Sequence, residues 1–251
     1  MRVVTRASDF VGTLIVWAYF TIGYLVFFSP IHLFLFLFSR ARERAFQRTN
    51  SHFYRGFIRV LKGLNRDLEI LVEDGVRAIQ GAVIVSNHIS YLDPILLISI
   101  FQRHKTVVKG LFFKVPIFGW VLRHSGYLPS SGRESISPVW MEQMEKMGDH
   151  FSSGGNLFIF PEGTRSRSGR VGRFQEGAFR IARRHHVPIK VLRIKGTDQV
   201  FPPEKFLFNM RSPHDISVRL LGEVNPEIWH EGRPVSEVAD KVRAMYKRNE
   251  R

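Results

Sequence analysis

The stretch SNHISYLDP, residues 86–94, places His88 and Asp93 five positions apart, directly after the apolar run AVIV at 82–85. An imidazole beside a carboxylate makes a base. The carboxylate accepts the proton of one ring nitrogen, fixes the tautomer and raises the basicity of the other. His88 and Asp93 bring no nucleophile of their own, so they suit a reaction in which the substrate supplies the hydroxyl. A plainer reading stands beside this one. Ser90 and Asp93 fit the S-x-x-D form of a capping box, with Ser90 as N-cap and Asp93 one turn in. Pro94 then falls within the first turn, where its missing N–H costs little. The cap explains Asp93 and leaves His88 unexplained. Ser90 as a hydrolase nucleophile would call for G-x-S-x-G, which the chain lacks.

A second chemistry-bearing stretch follows NLFIF (156–160). PEGTRSRSGRVGR (161–173) interleaves glycines with Arg165, Arg167, Arg170 and Arg173. Glycines let the backbone approach an anion, and an arginine fork fits a phosphate. A lone arginine on such a loop is ordinarily a solvated cation; four of them close together weaken that reading.

The elements around these stretches alternate. LEILV (68–72), AVIVS (82–86), KTVVK (105–109), NLFIF (156–160), VPIKVLRIK (187–195) and DISVRLLGEV (215–224) read as strands. YLDPILLISIF (91–101), about 138–151, 176–185 and 234–248 read as helices, and residues 41–63 as a helix lying on the surface or on the domain. Strands alternating with helices predict an α/β domain with a largely parallel sheet, flanked by helices. In such sheets chemistry sits where strands end and helices begin, which is where both stretches fall. His185 and His186 read as helix C-terminal residues, and the ten histidines show no metal-ligand spacing. The Phe-rich segment FPPEKFLF (201–208) reads as a loop packed on the core or on a membrane.

Hydrophobic residues make up 44% of the chain and charged residues 24%, enough for a sizeable core. The formal charge of +15 calls for an anionic partner. Without cysteine, a disulfide, a thiolate metal site and a cysteine nucleophile are all excluded. From Phe10 to Ser39 there is no Asp, Glu, Lys or Arg, a stretch longer than one membrane span needs and too long for a cleaved leader. Arg2 and Arg6 precede it, and Arg40, Arg42, Arg44 and Arg48 follow. Basic residues at both ends place both on the cytoplasmic side. Ser29–Pro30 is then expected to break the helix, so that the chain dips into one leaflet and returns; a single tilted span is the alternative. Membrane proximity explains the basicity through an anionic lipid surface, and no nucleic-acid-binding pattern is visible.

NHISYLD (87–93) resembles the Asn-His-x4-Asp signature of the glycerolipid acyltransferases, the family of the 1-acylglycerol-3-phosphate acyltransferases. FPEGTRS (160–166) resembles that family's second strong block. KGLFFKVPIFGWVLRHSGYL (109–128) is similar to its Lys-x6-Pro-x2-Gly…Gly segment, and VPIKVL (187–192) to its Val-Pro-Ile block. The likeness covers residues ~80–195. H-x4-D alone is weak; FPEGTRS in the right order after it is strong.

The resemblance implies one acyltransferase α/β domain at 66–251, behind a membrane-anchoring helical segment at 1–65. It implies a fatty acyl transfer from an acyl thioester, acyl-CoA or acyl-acyl carrier protein, to the hydroxyl of a lysophospholipid. The favoured acceptor is 1-acyl-sn-glycerol-3-phosphate, and no tightly bound cofactor or metal is needed. His88 would be the base, oriented by Asp93, and backbone N–H groups at the start of the following helix would face the oxyanion. Glu162, Gly163, Thr164 and Arg165 would bind acceptor, together with Lys109 and Arg133, although Gly163 reads first as a turn requirement and Asn87 as a loop fastener. The enzyme would sit at the cytoplasmic face of a membrane, the inner one if bacterial.

Two departures bear on the acceptor. GYLPSSGRES (126–135) lacks the acidic–basic pair usual after Gly126, leaving Arg133 as the nearest arginine. Gln175 and Glu176 stand in FQEGAF where a lysine is usual. Both remove positive charge near the headgroup, so another lysolipid, such as a lyso-ornithine-type lipid, is an alternative acceptor. A lipase-like hydrolase and a non-catalytic basic membrane-binding protein are the rivals from other classes.

Overall fold

The structure is a computed structural model and describes residues 2–130, 138–166, 170–211, 215–229 and 232–248. The chain opens with one uninterrupted helical run: α1 (Arg2–Ala18), a π-helical stretch (Tyr19–Phe28) and α2 (Ser29–Phe38). The break expected at Ser29–Pro30 is absent. Ser29 has helical φ and ψ of −63° and −44°, and its N–H bonds back to the Tyr24 carbonyl. Pro30 falls where the pairing resets from π to α, so its missing N–H leaves little unpaired. The chain instead turns over Ser39–Ala41 into α3 (Arg42–Leu64), which runs back along the first helices. Tyr19, Tyr24 and Phe28 all pack on Phe53 with ring centroids 4.8–5.3 Å apart. The helix Ala7–Phe38, 32 residues long, is apolar enough to cross a membrane by length and composition, and its large side chains are mostly exposed.

The rest of the chain builds the sheet. In order it runs β1 (Ile70–Val72), α4 (Asp74–Arg77), β2 (Val83–Ser86), α5 (Leu92–Ile100), β3 (His104–Lys109), a 3₁₀ turn (Gly110–Lys114), α6 (Phe118–His124) and β4 (Leu128–Ser130). Then follow α7 (Pro138–Glu145), α8 (Met147–Ser152), β5 (Asn156–Ile159), α9 (Gly177–His185), β6 (Ile189–Lys195), α10 (Thr197–Val200), β7 (Ile216–Val224) and α11 (Val235–Arg248). The helix expected over 138–151 is thus two short ones, and α6 and β4 were not expected at all.

Strand order is β1-β7-β6-β2-β5-β3-β4. The strands from β6 to β4 run parallel; β7 is antiparallel to β6, and β1 is parallel to β7. The expected largely parallel α/β sheet is present, with two reversed strands at one edge. Every residue of β2 is buried, as a strand covered on both faces requires. Ile84 packs into a core with α3 and α5, while Val83 and Val85 enter a second core with α8, α9 and α11. The Phe-rich segment packs on the core: Phe201 and Phe208 stack at 4.2 Å, and Trp17 of α1 stacks on Phe206 at 6.0 Å.

Candidate active site

β2 and β5 are neighbours, with Val85 opposite Ile159, so the loops at their C-terminal ends emerge side by side. One loop is NHISYLD and the other FPEGTRS. Asn87 fastens the first. Its amide donates to the Ile194 carbonyl and accepts the Ile194 N–H, both at 2.8 Å, reproducing a peptide pair against β6. Each such buried bond is worth about 1 kcal/mol net, and more is lost if one side is left unpaired.

His88 Nδ1 lies 2.9 Å from Asp93 Oδ2, with Asp93 wholly buried and the imidazole 17% exposed. The same oxygen accepts the N–H groups of Ile89 at 2.7 Å and Ser90 at 2.8 Å. Ser90 Oγ accepts the Leu92 N–H and donates to the Phe201 carbonyl. Asp93 therefore caps α5 and also meets His88. With Nδ1–H facing the carboxylate, Nε2 carries the free lone pair and takes no protein partner among the described residues.

Thr197, at the start of α10 after β6, donates its hydroxyl to Asp93 Oδ1 at 2.5 Å. No motif in the sequence pointed to it; the only signal was a Gly-Thr step at the end of a buried strand.

The second loop grips the first at His88. Phe160 stacks on the imidazole at 4.3 Å. Glu162 Oε1 accepts the His88 N–H at 3.3 Å, and the Ser166 N–H donates to the His88 carbonyl at 2.7 Å. Pro161 occupies the second position of a turn closed by the Gly163 N–H on the Phe160 carbonyl at 3.1 Å. Gly163 has φ of +69°, and a Cβ there would stand 2.4 Å from Gln175 Nε2. It is a turn requirement. Glu162 Oε2 also accepts the Gly172 N–H at 3.0 Å. Burial pushes the Glu162 carboxyl above its usual pKa, partly offset by these N–H donors. Its carboxylate ties two loops together.

Arg165 lies with its guanidinium carbon 3.4 Å from the centroid of the Tyr91 ring, and its buried Nη1 has no hydrogen-bond partner among the described residues. Thr164 is exposed on the same turn. Glu176 is engaged by Arg180 at 2.9 Å, so its charge is balanced within α9.

Three expectations fare differently. Lys109 ends β3, two strands from β2, and makes no bond to His88 or Asp93 among the described residues. Arg133, Arg167 and Gly169 lie outside the described residues. The N–H groups of Ile89, Ser90, Leu92 and Asp93 are all occupied by the Asp93 carboxylate or by Ser90, so the oxyanion role expected of this helix start is closed to them.

The acyltransferase family matches residues 68–195, about half the chain. A chloroplastic 1-acyl-sn-glycerol-3-phosphate acyltransferase of Brassica napus is 37% identical over 120 residues, covering 48% of this chain and 34% of its own length. The enzyme of that name from Pseudomonas aeruginosa is 31% identical over 175 residues, covering 68% of this chain and 63% of its own. The chain thus spans about a third of the plant relative and under two thirds of the bacterial one. The crystal structure of the 1-acyl-sn-glycerophosphate acyltransferase PlsC from Thermotoga maritima superposes with a TM-score of 0.73 at 23% identity, covering 99% of this chain and 97% of that one, a likeness of fold. With the matched stretch running from just before β1 to the end of β6, and so through both loops that meet at His88, this chain belongs to the acyltransferase family.

Proposed function

We propose that this protein transfers a fatty acyl group from an acyl thioester to the free hydroxyl of 1-acyl-sn-glycerol-3-phosphate, giving phosphatidic acid. The relatives' names support this acceptor. The observation that carries the reading is the His88–Asp93 pair at 2.9 Å, with Arg165 on the adjoining loop.

His88 Nε2 removes the proton of the acceptor hydroxyl as its oxygen bonds to the thioester carbonyl carbon. The buried Asp93 carboxylate stabilises the imidazolium that forms. Collapse of the tetrahedral intermediate breaks the carbon–sulfur bond, and the imidazolium returns the proton to the leaving thiolate. No acyl-enzyme forms, and the transfer as written draws on no metal or tightly bound cofactor. Arg165 faces the acceptor phosphate, the ligand that its uncommitted donors fit. The donor is acyl-CoA or acyl-acyl carrier protein. Residues 1–65 anchor the catalytic part, 66–251, to the cytoplasmic face of a membrane, the inner membrane in a bacterium, with the basic surface drawn to anionic headgroups.

Acyl transfer from a labelled thioester in detergent tests this, using lysophosphatidic acid and a phosphate-free lysolipid. Wild type transfers to lysophosphatidic acid, and folded His88→Ala loses about 100-fold or more. Full turnover in that variant would remove His88 as the base. Transfer to the phosphate-free acceptor alone would keep the mechanism and change the substrate.

A further inference from the structure

The segment between β3 and α6 projects its large apolar side chains outward. Leu111 is 71% exposed, and Phe112, Val115 and Ile117 are each more than 40% exposed. Only Phe113 turns inward, into a small core with Leu122 and Tyr127. The loop is stiff. Ile117 has φ of +62° and ψ of −58°, and the Phe118 N–H reaches the Pro116 carbonyl at 2.6 Å. That is a γ-turn of the rare hand, centred on a β-branched residue. The surroundings hold it: Arg123 donates to the Phe113 carbonyl at 2.8 Å, and that oxygen lies 2.2 Å from where a Cβ on Gly119 would stand. A strained backbone persists only where its neighbours fix it, and here the fixed result displays apolar tips.

Charge and continuity say what covers them. Lys109 and Lys114, one on either side of Leu111 and Phe112, are exposed, and Val115 and Ile117 follow directly after Lys114. Phe112 meets Phe118 at 6.1 Å, and Phe118 meets Tyr24 of the N-terminal helix at 6.4 Å. Ile22, Leu25 and Val26, close by on that helix, are themselves exposed. The loop leaves β3 at the same sheet edge as the catalytic loops leave β2 and β5. Apolar tips interleaved with ammonium groups on long apolar stems match the section of a bilayer from acyl chain to phosphate.

We propose that the Gly110–Phe118 loop is a second lipid-inserting element, with Leu111, Phe112, Val115 and Ile117 in the acyl region and Lys109 and Lys114 at anionic headgroups. The proposal rests on reading the N-terminal helix as a membrane anchor, and its test separates the two.

The chain has no native cysteine, so Leu111→Cys and, separately, Phe34→Cys on the anchor each give one labelling site for a polarity-sensitive fluorophore. The full-length protein is placed in phosphatidylcholine–phosphatidylglycerol vesicles, with and without nitroxide on the acyl chains. Both positions are expected to be quenched by the nitroxide and shielded from aqueous iodide. Iodide quenching at 111 with nitroxide quenching at 34 overturns the loop and keeps the anchor. Nitroxide quenching at neither position overturns both. A blue shift at 111 that follows protein concentration in lipid-free detergent means that a second copy covers the loop, and overturns the proposal. As an independent readout, Leu111→Glu combined with Val115→Glu should raise the KM for vesicle-borne acceptor about tenfold and leave turnover of detergent-dispersed acceptor unchanged. An unchanged KM in vesicles would also overturn it.

Discussion

The Thr197 hydroxyl lies 2.5 Å from Asp93 Oδ1, on the opposite side of the carboxylate from His88. Three donors hold Oδ2 and Thr197 holds Oδ1, so both oxygens of a wholly buried carboxylate are fixed. Thr197→Val keeps the shape and removes the donor. The kcat should fall about tenfold or more, as expected for a hydrogen bond to a charged group worth ~1.5 kcal/mol. KM should stay within about twofold, and Thr197→Ser should restore the rate. A valine variant with wild-type kcat would make Thr197 a space-filler.

Asp93→Asn separates the cap from the charge. An asparagine can keep its oxygen toward the Ile89 and Ser90 N–H groups and turn its amide to Thr197, which accepts in place of donating. The helix start survives, but the imidazolium loses its counter-charge. We expect activity to fall about 100-fold or more while the melting temperature moves by only a few degrees. If melting and activity fell together, Asp93 would be a cap alone.

Tyr91 bears on the acceptor through Arg165. Its ring is the platform under the guanidinium, a contact worth about 1 kcal/mol at an exposed site. Tyr91→Leu should raise the KM for lysophosphatidic acid about fivefold with kcat little changed, and Tyr91→Phe should behave as wild type. An equal rise for a phosphate-free acceptor would place Tyr91's effect outside phosphate binding.

Much of this was readable in the residues, because the physics is local. The AVIV run and the LFIF run at 157–160 are apolar at every position, which only a doubly covered strand tolerates, and Ser90-x-x-Asp93 caps α5 as its pattern says. What escaped is long-range. Thr197 reaches the catalytic loop from 104 positions away along the chain, and Glu162, expected to bind acceptor, also takes the His88 N–H from 74 positions away. Lys109 ends β3, the direct neighbour of β5, so the strand order puts it one strand from the loop of Glu162 and Arg165 and two from that of His88. Ser29–Pro30 looked like a break because a proline ends most helices, and here a π-helical stretch absorbs it. The capping pattern does imply that Asp93 takes the Ser90 N–H and that Ser90 takes an N–H of the first turn, here that of Leu92.

Acid should destabilise this fold through two histidines. Burial lowers His104 from the usual 6.5 to about 4, partly offset by its bond to the Phe101 carbonyl. Burial, with Lys105 nearby, lowers His150 to about 3. His104 is held neutral, with Nδ1 donating to Phe101 at 2.7 Å and Nε2 accepting the Tyr127 hydroxyl at 2.5 Å. Below 6.5 the unfolded chain binds protons that the folded chain refuses, so stability falls from about pH 6.5 down through pH 4 to 3. Above pH 6.5 neither histidine contributes a slope. Melting temperatures in detergent at pH 7, 6, 5 and 4 should fall steadily; a flat profile would mean that these rings protonate in place.

The pairing of β2 with β5 has a further consequence. A single ladder of backbone hydrogen bonds fixes the separation of His88 from Phe160 and Glu162, and the intervening polypeptide does not. Residues can be added to or deleted from the excursion between Ile100 and Asn156 without moving the site, provided that β3, α8 and their cores still fold. Register has no such freedom: a slip of one residue would turn Phe160 to the opposite face and leave the imidazole without its floor.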